Sequence, residues 1–168
     1  MMQFIIDSEL TKAVTTHCKR WAPKETGGIL LGYRCENAVH VTGFVGPGPR
    51  AKHTRASFIR DGVFAQRILD DVVTGTGGRS DYLGEWHSHP APVEPSGRDE
   101  KSIRWVAANA AYDCADPLLV VVTLEGRAWS LRAFTSKGTT LSRCAVIDAC
   151  DTCGLSDQLG ITVKPDDI

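Results

Sequence analysis

The 168-residue chain lacks any marked charge of one sign: its formal net charge is −1 at pH 7. A surface that wraps nucleic acid is usually strongly basic, so that function class is disfavoured. No apolar run approaches the length of a membrane span. The start, Met1-Met2-Gln3-Phe4-Ile5-Ile6-Asp7, has neither the basic opening nor the long apolar stretch of a signal peptide and reads as a first strand. Internal repeats and low-complexity blocks are missing too. What is present is a hydrophobic share of 42%, enough for the core of one domain at this length. The expected location is cytoplasmic. There the six cysteines, Cys18, Cys35, Cys114, Cys144, Cys150 and Cys153, are expected as reduced thiols. Cys150 and Cys153 with Cys144 upstream are compatible with a second metal or a redox pair, but small buried thiols are the plainer reading.

Hydrophobic spacing sets out the elements. Ser8 has the character of a helix cap, and Leu10, Ala13, Val14, His17, Cys18 and Trp21 follow as one apolar stripe that Pro23 ends. Residues 27–33 form a short apolar run between glycines, which favours a buried strand. Residues 38–45 predict another strand, broken by Gly46-Pro47-Gly48-Pro49. A short strand is expected over 56–60. Asp61 is placed to cap a second helix bearing Phe64, Ile68 and Val72, with 74–80 as a loop. Ile103, Val106, Ala107, Ala110 and Ala111 mark a third helix. Residues 118–124 read as a central strand, apolar on both faces, and Glu125-Gly126 turns the chain into the alternating run 128–134. Mixed strands and helices of this kind give an α/β or α+β fold around a mixed sheet.

One segment carries chemistry. In Tyr82-Leu83-Gly84-Glu85-Trp86-His87-Ser88-His89 the two histidines are separated by one residue, so on a strand they share a face while Ser88 points away. Asp99 falls ten residues after His89, where a helix should begin, and can return a carboxylate to the same ion. Two imidazoles and a carboxylate are the protein's share of a catalytic zinc site, which keeps a fourth position open for water. Such a site also needs a base. Glu85, on the face of His87, and Glu25, at the head of the glycine-flanked strand, both qualify, and spacing alone does not choose between them. Each residue has a plainer role available: Ser96 and Asp99 make a capping pattern, and His-x-His occurs in ordinary sheets.

Glu25 with Gly27-Gly28, His87-Ser88-His89-Pro90, Ser96 and Asp99 together resemble the JAB/MPN family of zinc peptidases and its JAMM motif. The resemblance runs from the first strand to the hairpin after Leu124. It implies a single JAB/MPN-type domain over 1–152, a mixed curved sheet flanked by helices with a cytidine-deaminase-like outline, and a C-terminal tail over 153–168. It also implies one Zn2+ held by His87, His89 and Asp99, Glu25 as the acid/base, and Ser96 as a stabiliser of the oxyanion. The flanking text is similar to a prokaryotic branch found beside E1- and E2-like proteins in antiviral operons, including CBASS. That branch acts on ubiquitin-like or CD-NTase-like proteins joined through a C-terminal tail, which makes this chain an isopeptidase or peptidase without nucleic-acid or membrane partners. A non-catalytic scaffold is the alternative, though the full residue set opposes it. A zinc deaminase is a poor match, because the residue two after His87 is His89 and not glutamate. A cysteine peptidase is weaker still, because no cysteine stands at a helix start behind a tight glycine turn. For the substrate, an extended tail added to a sheet edge is expected, with the loops 46–56, 74–80 and 90–98 as walls. Lys52, Arg55 and Arg60 are candidates to face an acidic partner, with a solvated loop face the plainer reading. Trp86 or Trp105 is expected to pack beneath the site. His40 and His53 have no partner legible in the sequence.

Overall fold

The computed structural model describes residues 1–137 and 140–149. Strands β1 (Gln3–Ile6), β2 (Gly27–Arg34), β3 (Ala38–Val45), β6 (Asp81–His89), β7 (Leu118–Glu125), β8 (Ala128–Lys137), β9 (Thr140–Arg143) and β10 (Ala145–Asp148) form one mixed sheet in the order β10-β1-β3-β2-β6-β7-β8-β9. A separate two-stranded ribbon pairs β4 (Lys52–His53) with β5 (Phe58–Ile59). Helices α1 (Ser8–Trp21), α2 (Gly62–Thr76) and α3 (Gly97–Ala108) cover the large sheet.

Alternation along the strands divides the core between the two faces. Leu118, Val120 and Val122 of β7 pack with Trp86, Leu30 and Phe44 and with Val14 and Cys18 of α1. Leu119 and Val121, one residue out of phase, pack with Ile103 of α3 and Phe134 of β8. Ile29, Leu31 and Val45 meet Ala65 and Ile68 of α2. Thus α1 closes one face, while α2 and α3 share the other. β6 lies inside the sheet, antiparallel to β2 and parallel to β7; its register shifts near Leu83, which packs in the α1 core, and beyond that shift Glu85, His87 and His89 emerge on the face that α2 and α3 share.

Several expectations shift. Asp7, not Ser8, caps α1, accepting from the Glu9 N–H at 2.7 Å. α2 runs on to Thr76 and stops at Gly77 in the left-handed region, so 74–76 are helical and not loop. Ala110 and Ala111 lie beyond α3 in a 3-10 turn, Ala110–Tyr112, and are exposed. β9 and β10 had no counterpart in the sequence reading. Asp61 caps α2 as expected, accepting from the Phe64 N–H at 3.2 Å. No helix of the described residues is long and apolar enough to cross a membrane. The expected tail over 153–168, with Cys150 and Cys153, lies outside the described residues.

Candidate metal centre

The period of β6 delivers the two histidines. His87 and His89 project from its C-terminal end on the shared face, while Trp86 and Ser88 turn into the opposite core. Trp86 is 1% exposed and donates its indole N–H to the Val45 carbonyl at 2.9 Å. Ser88 is fully buried. Asp99 enters from the first turn of α3, where a capping box fixes it: the Asp99 carboxylate accepts from the Ser96 N–H at 2.6 Å, and the Ser96 hydroxyl accepts from the Asp99 N–H at 3.3 Å. The cap and the site therefore use the same two residues. Ser96 also lines the cleft.

The three side chains converge. His87 Nε2 lies 3.1 Å from His89 Nε2. Asp99 Oδ1 lies 3.3 Å from His87 Nε2, and Asp99 Oδ2 lies 3.5 Å from His89 Nε2. Zinc bonds to nitrogen and carboxylate oxygen of about 2.0–2.1 Å give a tetrahedron with edges of about 3.3–3.4 Å. The donor set therefore has the chemistry of a zinc site, at separations close to those edges. Among the described residues these three form the one cluster of His, Cys, Asp or Glu so disposed.

Glu25 stands at the rim, its Oε1 4.0 Å from His89 Nε2. It precedes β2, and its backbone is held on both sides by the β4–β5 ribbon. The Glu25 N–H donates to the Thr54 carbonyl at 2.8 Å, and the Glu25 carbonyl accepts from His53 Nδ1 at 2.9 Å. The His53 ring in turn stacks on Trp21, with centroids 3.5 Å apart. This answers the missing partner of His53, which no short-range sequence pattern could reveal. His40 stacks on Tyr33 instead, at 4.7 Å. The glycines behind Glu25 are required by crowding: a Cβ on Gly28 would collide with the Val45 carbonyl, and one on Gly27 with the Trp86 carbonyl.

Local electrostatics suit the grouping. Burial pushes Glu25 above the ordinary carboxylate range, with His87 partly opposing and Asp99 reinforcing it. Burial holds His89 below its ordinary value, and the neighbouring His87 adds to that, favouring the neutral imidazole. Burial alone would raise Asp99, but its bonds to His87 and Ser96 outweigh that and hold it well below the usual range. The other candidate base is otherwise engaged: Glu85 accepts from Arg60 Nη1 at 2.7 Å. That pair also removes Arg60 from the residues offered to an acidic partner. Three of the thiols fare no better as nucleophiles, because burial pushes Cys18 up to about 12 and raises Cys114 and Cys144.

The residues open onto a cleft of about 1060 Å³. Its walls are 55–60 on one side and 90–99 on the other, with Glu25, His87 and His89 between them. The 90–98 loop is thus a wall as expected, only the end of 46–56 takes part, and 74–80 does not. Arg132 of β8 ties the far wall down by ion pairs to Glu94 and Glu125. Trp105, 59% exposed and edge-on to Tyr112, does not pack beneath the site.

A family model described as prokaryotic homologs of the JAB domain matches residues 7–132, which spans every residue of the site. A probable metalloprotease of Sinorhizobium fredii is 27% identical over 137 residues, covering 80% of this chain and 84% of that protein. A CD-NTase/cGAS isopeptidase of Enterobacter hormaechei is 34% identical over 122 residues, covering 70% of this chain and 66% of that protein. A Desulfitobacterium hafniense protein solved in solution shares the fold with a TM-score of 0.70 at 17% identity, over 95% of this chain and 99% of that one. On the family match and the relatives together, this chain belongs to the prokaryotic JAB-domain family and is, at that family level, a JAB-type hydrolase.

Proposed function

We propose that this protein is a zinc-dependent isopeptidase or peptidase that hydrolyses an amide bond at the C-terminal tail of a ubiquitin-like or CD-NTase-like protein, in a conjugate or a precursor. The observation that carries this is the convergence of His87, His89 and Asp99 with Glu25 beside them at the base of one open cleft. Relatives named as CD-NTase/cGAS isopeptidases from Enterobacter hormaechei and Escherichia coli support the substrate class. In this reading residues 1–152 are the catalytic unit, followed by the tail 153–168. It works in the cytoplasm in an antiviral CBASS setting beside E1- and E2-like partners.

His87, His89 and Asp99 would hold the ion, which when bound supplies Lewis acidity toward water and the scissile carbonyl. The rest falls to the chain's own groups. Glu25 accepts a proton from the attacking water at its carboxylate and later releases it to the leaving amine. Its raised proton affinity favours taking up that proton. The Ser96 hydroxyl, fixed by the cap, donates to the developing oxyanion, and such prepositioned donors supply a large part of the acceleration in acyl transfer. The His-bearing strand β6 is interior and cannot accept a further strand. β5 can: among the described residues it pairs with β4 alone, and Phe58 and Ile59 line the cleft. An extended tail hydrogen-bonded along β5 would reach the site with its main chain satisfied.

The deciding experiment incubates the zinc-loaded chain and its Glu25→Gln variant with fusions that carry candidate ubiquitin-like or CD-NTase-like C-termini. Cleavage by the first and not by the second, at equal zinc content, is the expected result. Binding with no cleavage by either would replace this reading with that of a scaffold.

A further inference from the structure

Between β5 and α2 a single residue crosses the cleft wall. Arg60 follows Ile59 directly and precedes the cap Asp61. Its Nη1 donates to Glu85 Oε1 at 2.7 Å and its Nη2 to the Tyr112 hydroxyl at 3.1 Å. The Tyr82 hydroxyl also donates to Glu85 Oε1, at 3.5 Å, and the Tyr82 and Tyr112 rings lie 5.5 Å apart. The Arg60 and Glu85 side chains are 23% and 18% exposed, so the pair is largely withdrawn from solvent. Losing one partner would leave the other charge uncompensated there. The cluster joins three segments: the β5–α2 junction, the strand that bears His87, and the 3-10 turn after α3. Arg60 and Glu85 border the metal cleft, while Arg60, Tyr82 and Tyr112 border a second cavity of about 640 Å³ beside α2.

Glu85 is two residues from His87 yet holds no place in the metal-ligating cluster. Its carboxylate is spent on a guanidinium whose neighbour in sequence is the end of β5. We infer that Arg60 and Glu85 are a positioning pair, which fixes the β5 wall at a set height above the histidine strand. The pair therefore governs how tightly a peptide tail is held and not how fast the bond breaks. The kinetic half of this inference rests on the peptidase reading given above; the structural half does not.

The test uses the zinc-loaded full chain with Arg60→Ala, Glu85→Gln, and the exchanged pair Arg60→Glu with Glu85→Arg. Steady-state kinetics on a cleavable fusion, metal content, and amide hydrogen exchange of residues 52–60 are measured for each. The single changes should raise KM about tenfold while kcat stays within about twofold and the metal content is unaltered. Exchange over 52–60 should quicken while that of 81–89 does not. The exchanged pair should recover most of the KM loss, as expected for a direct interaction. A fall in kcat at unchanged KM would overturn the inference, as would unchanged KM together with unchanged exchange. Should the single variants fold poorly, Tyr112→Phe removes only the oxygen that accepts from Nη2. A rise in KM of about twofold is expected there, and no change in KM or exchange counts against the pair. If the parent chain cleaves no fusion, the peptidase reading fails by itself, and the exchange rates still decide whether the pair holds the wall.

Discussion

Ser88 and Thr26 are bonded to each other twice: the Ser88 N–H donates to the Thr26 carbonyl at 2.7 Å, and the Ser88 hydroxyl accepts from the Thr26 N–H at 3.0 Å. Ser88 stands between the two histidines, and Thr26 adjoins Glu25. The two bonds therefore fix Glu25 to the histidine-bearing strand beside the cleft. His17 supports the junction from α1, with its Nε2 3.1 Å from Thr26 Oγ1.

Replacing Ser88 with Ala should strand the buried Thr26 N–H and cost about 1–3 kcal/mol of stability. Because the histidines themselves are untouched, metal content should remain near one ion per chain. Turnover should fall as Glu25 loses its register with the site. Chemical denaturation, metal analysis and fusion cleavage on the same preparation check the three parts. Unaltered stability and turnover together would show that the second bond is dispensable.

Burial of the Glu25 carboxyl carries a cost in stability. Its folded pKa is raised by burial, so the native state holds that proton more tightly than the unfolded chain does. The stability tied to the proton is present below the unfolded value and disappears as pH rises through the folded one. At any pH above the unfolded value, neutral pH included, the metal-free protein therefore lacks part or all of that stability. Glu25→Gln should raise the Tm of the metal-free chain at pH 7 and leave it nearly unchanged in strong acid, while abolishing cleavage. Thermal unfolding of both chains across pH checks the sign, and a lower Tm for the variant at pH 7 contradicts it.

The site was legible in the sequence to the extent that local periodicity carries it. Strand alternation alone puts His87 and His89 on one face with Ser88 opposite, and a helix start after a proline-rich loop returns Asp99. The choice of Glu25 over Glu85 was not legible from spacing. The contacts that distinguish the two carboxylates come from Arg60, 25 residues away in sequence from Glu85, and from a ribbon beside Glu25 whose two strands are only two residues each. The partner of His53 was hidden for the same reason. In the fold, β7 and the Asp61 cap read directly. β10 did not, because its register is set by parallel pairing with β1 at the other end of the chain. The last turn of α2 is not legible because Thr and Gly have poor helix propensity. Thr76 is nevertheless buried there, accepting from the Ser80 N–H at 3.1 Å, and Gly77 supplies the left-handed exit.

The two tryptophans once equally placed to support the site should now separate sharply. Trp86→Ala removes a fully buried ring that packs against Phe44 and His17, and should cost about 3–5 kcal/mol. Trp86→Phe keeps much of the packing but leaves the Val45 carbonyl without its donor, a loss of about 1–3 kcal/mol. Trp105→Ala, at an exposed position, should stay within about 0.5 kcal/mol of the parent. Urea unfolding of the three variants ranks them, and a Trp105→Ala loss comparable to that of Trp86→Ala would contradict this account of the core.

Acid sensitivity away from the metal should centre on the cap of α2. Arg50 donates from Nε and Nη2 to the Asp61 carboxylate at 3.0 and 3.1 Å. Those bonds, with the Phe64 N–H, outweigh burial and hold Asp61 down to about 2. A depressed carboxylate stabilises the fold at pH values above its unfolded value, and that contribution fades as pH falls through the folded one. The window is therefore about pH 4 down to 2, well below the range in which imidazole ligands release a metal. Arg50→Met should leave the neutral-pH fold intact and move the acid-unfolding midpoint of the metal-free chain upward. Far-ultraviolet circular dichroism against pH measures that midpoint, and an identical one in parent and variant would show that the Asp61 cap does not depend on Arg50.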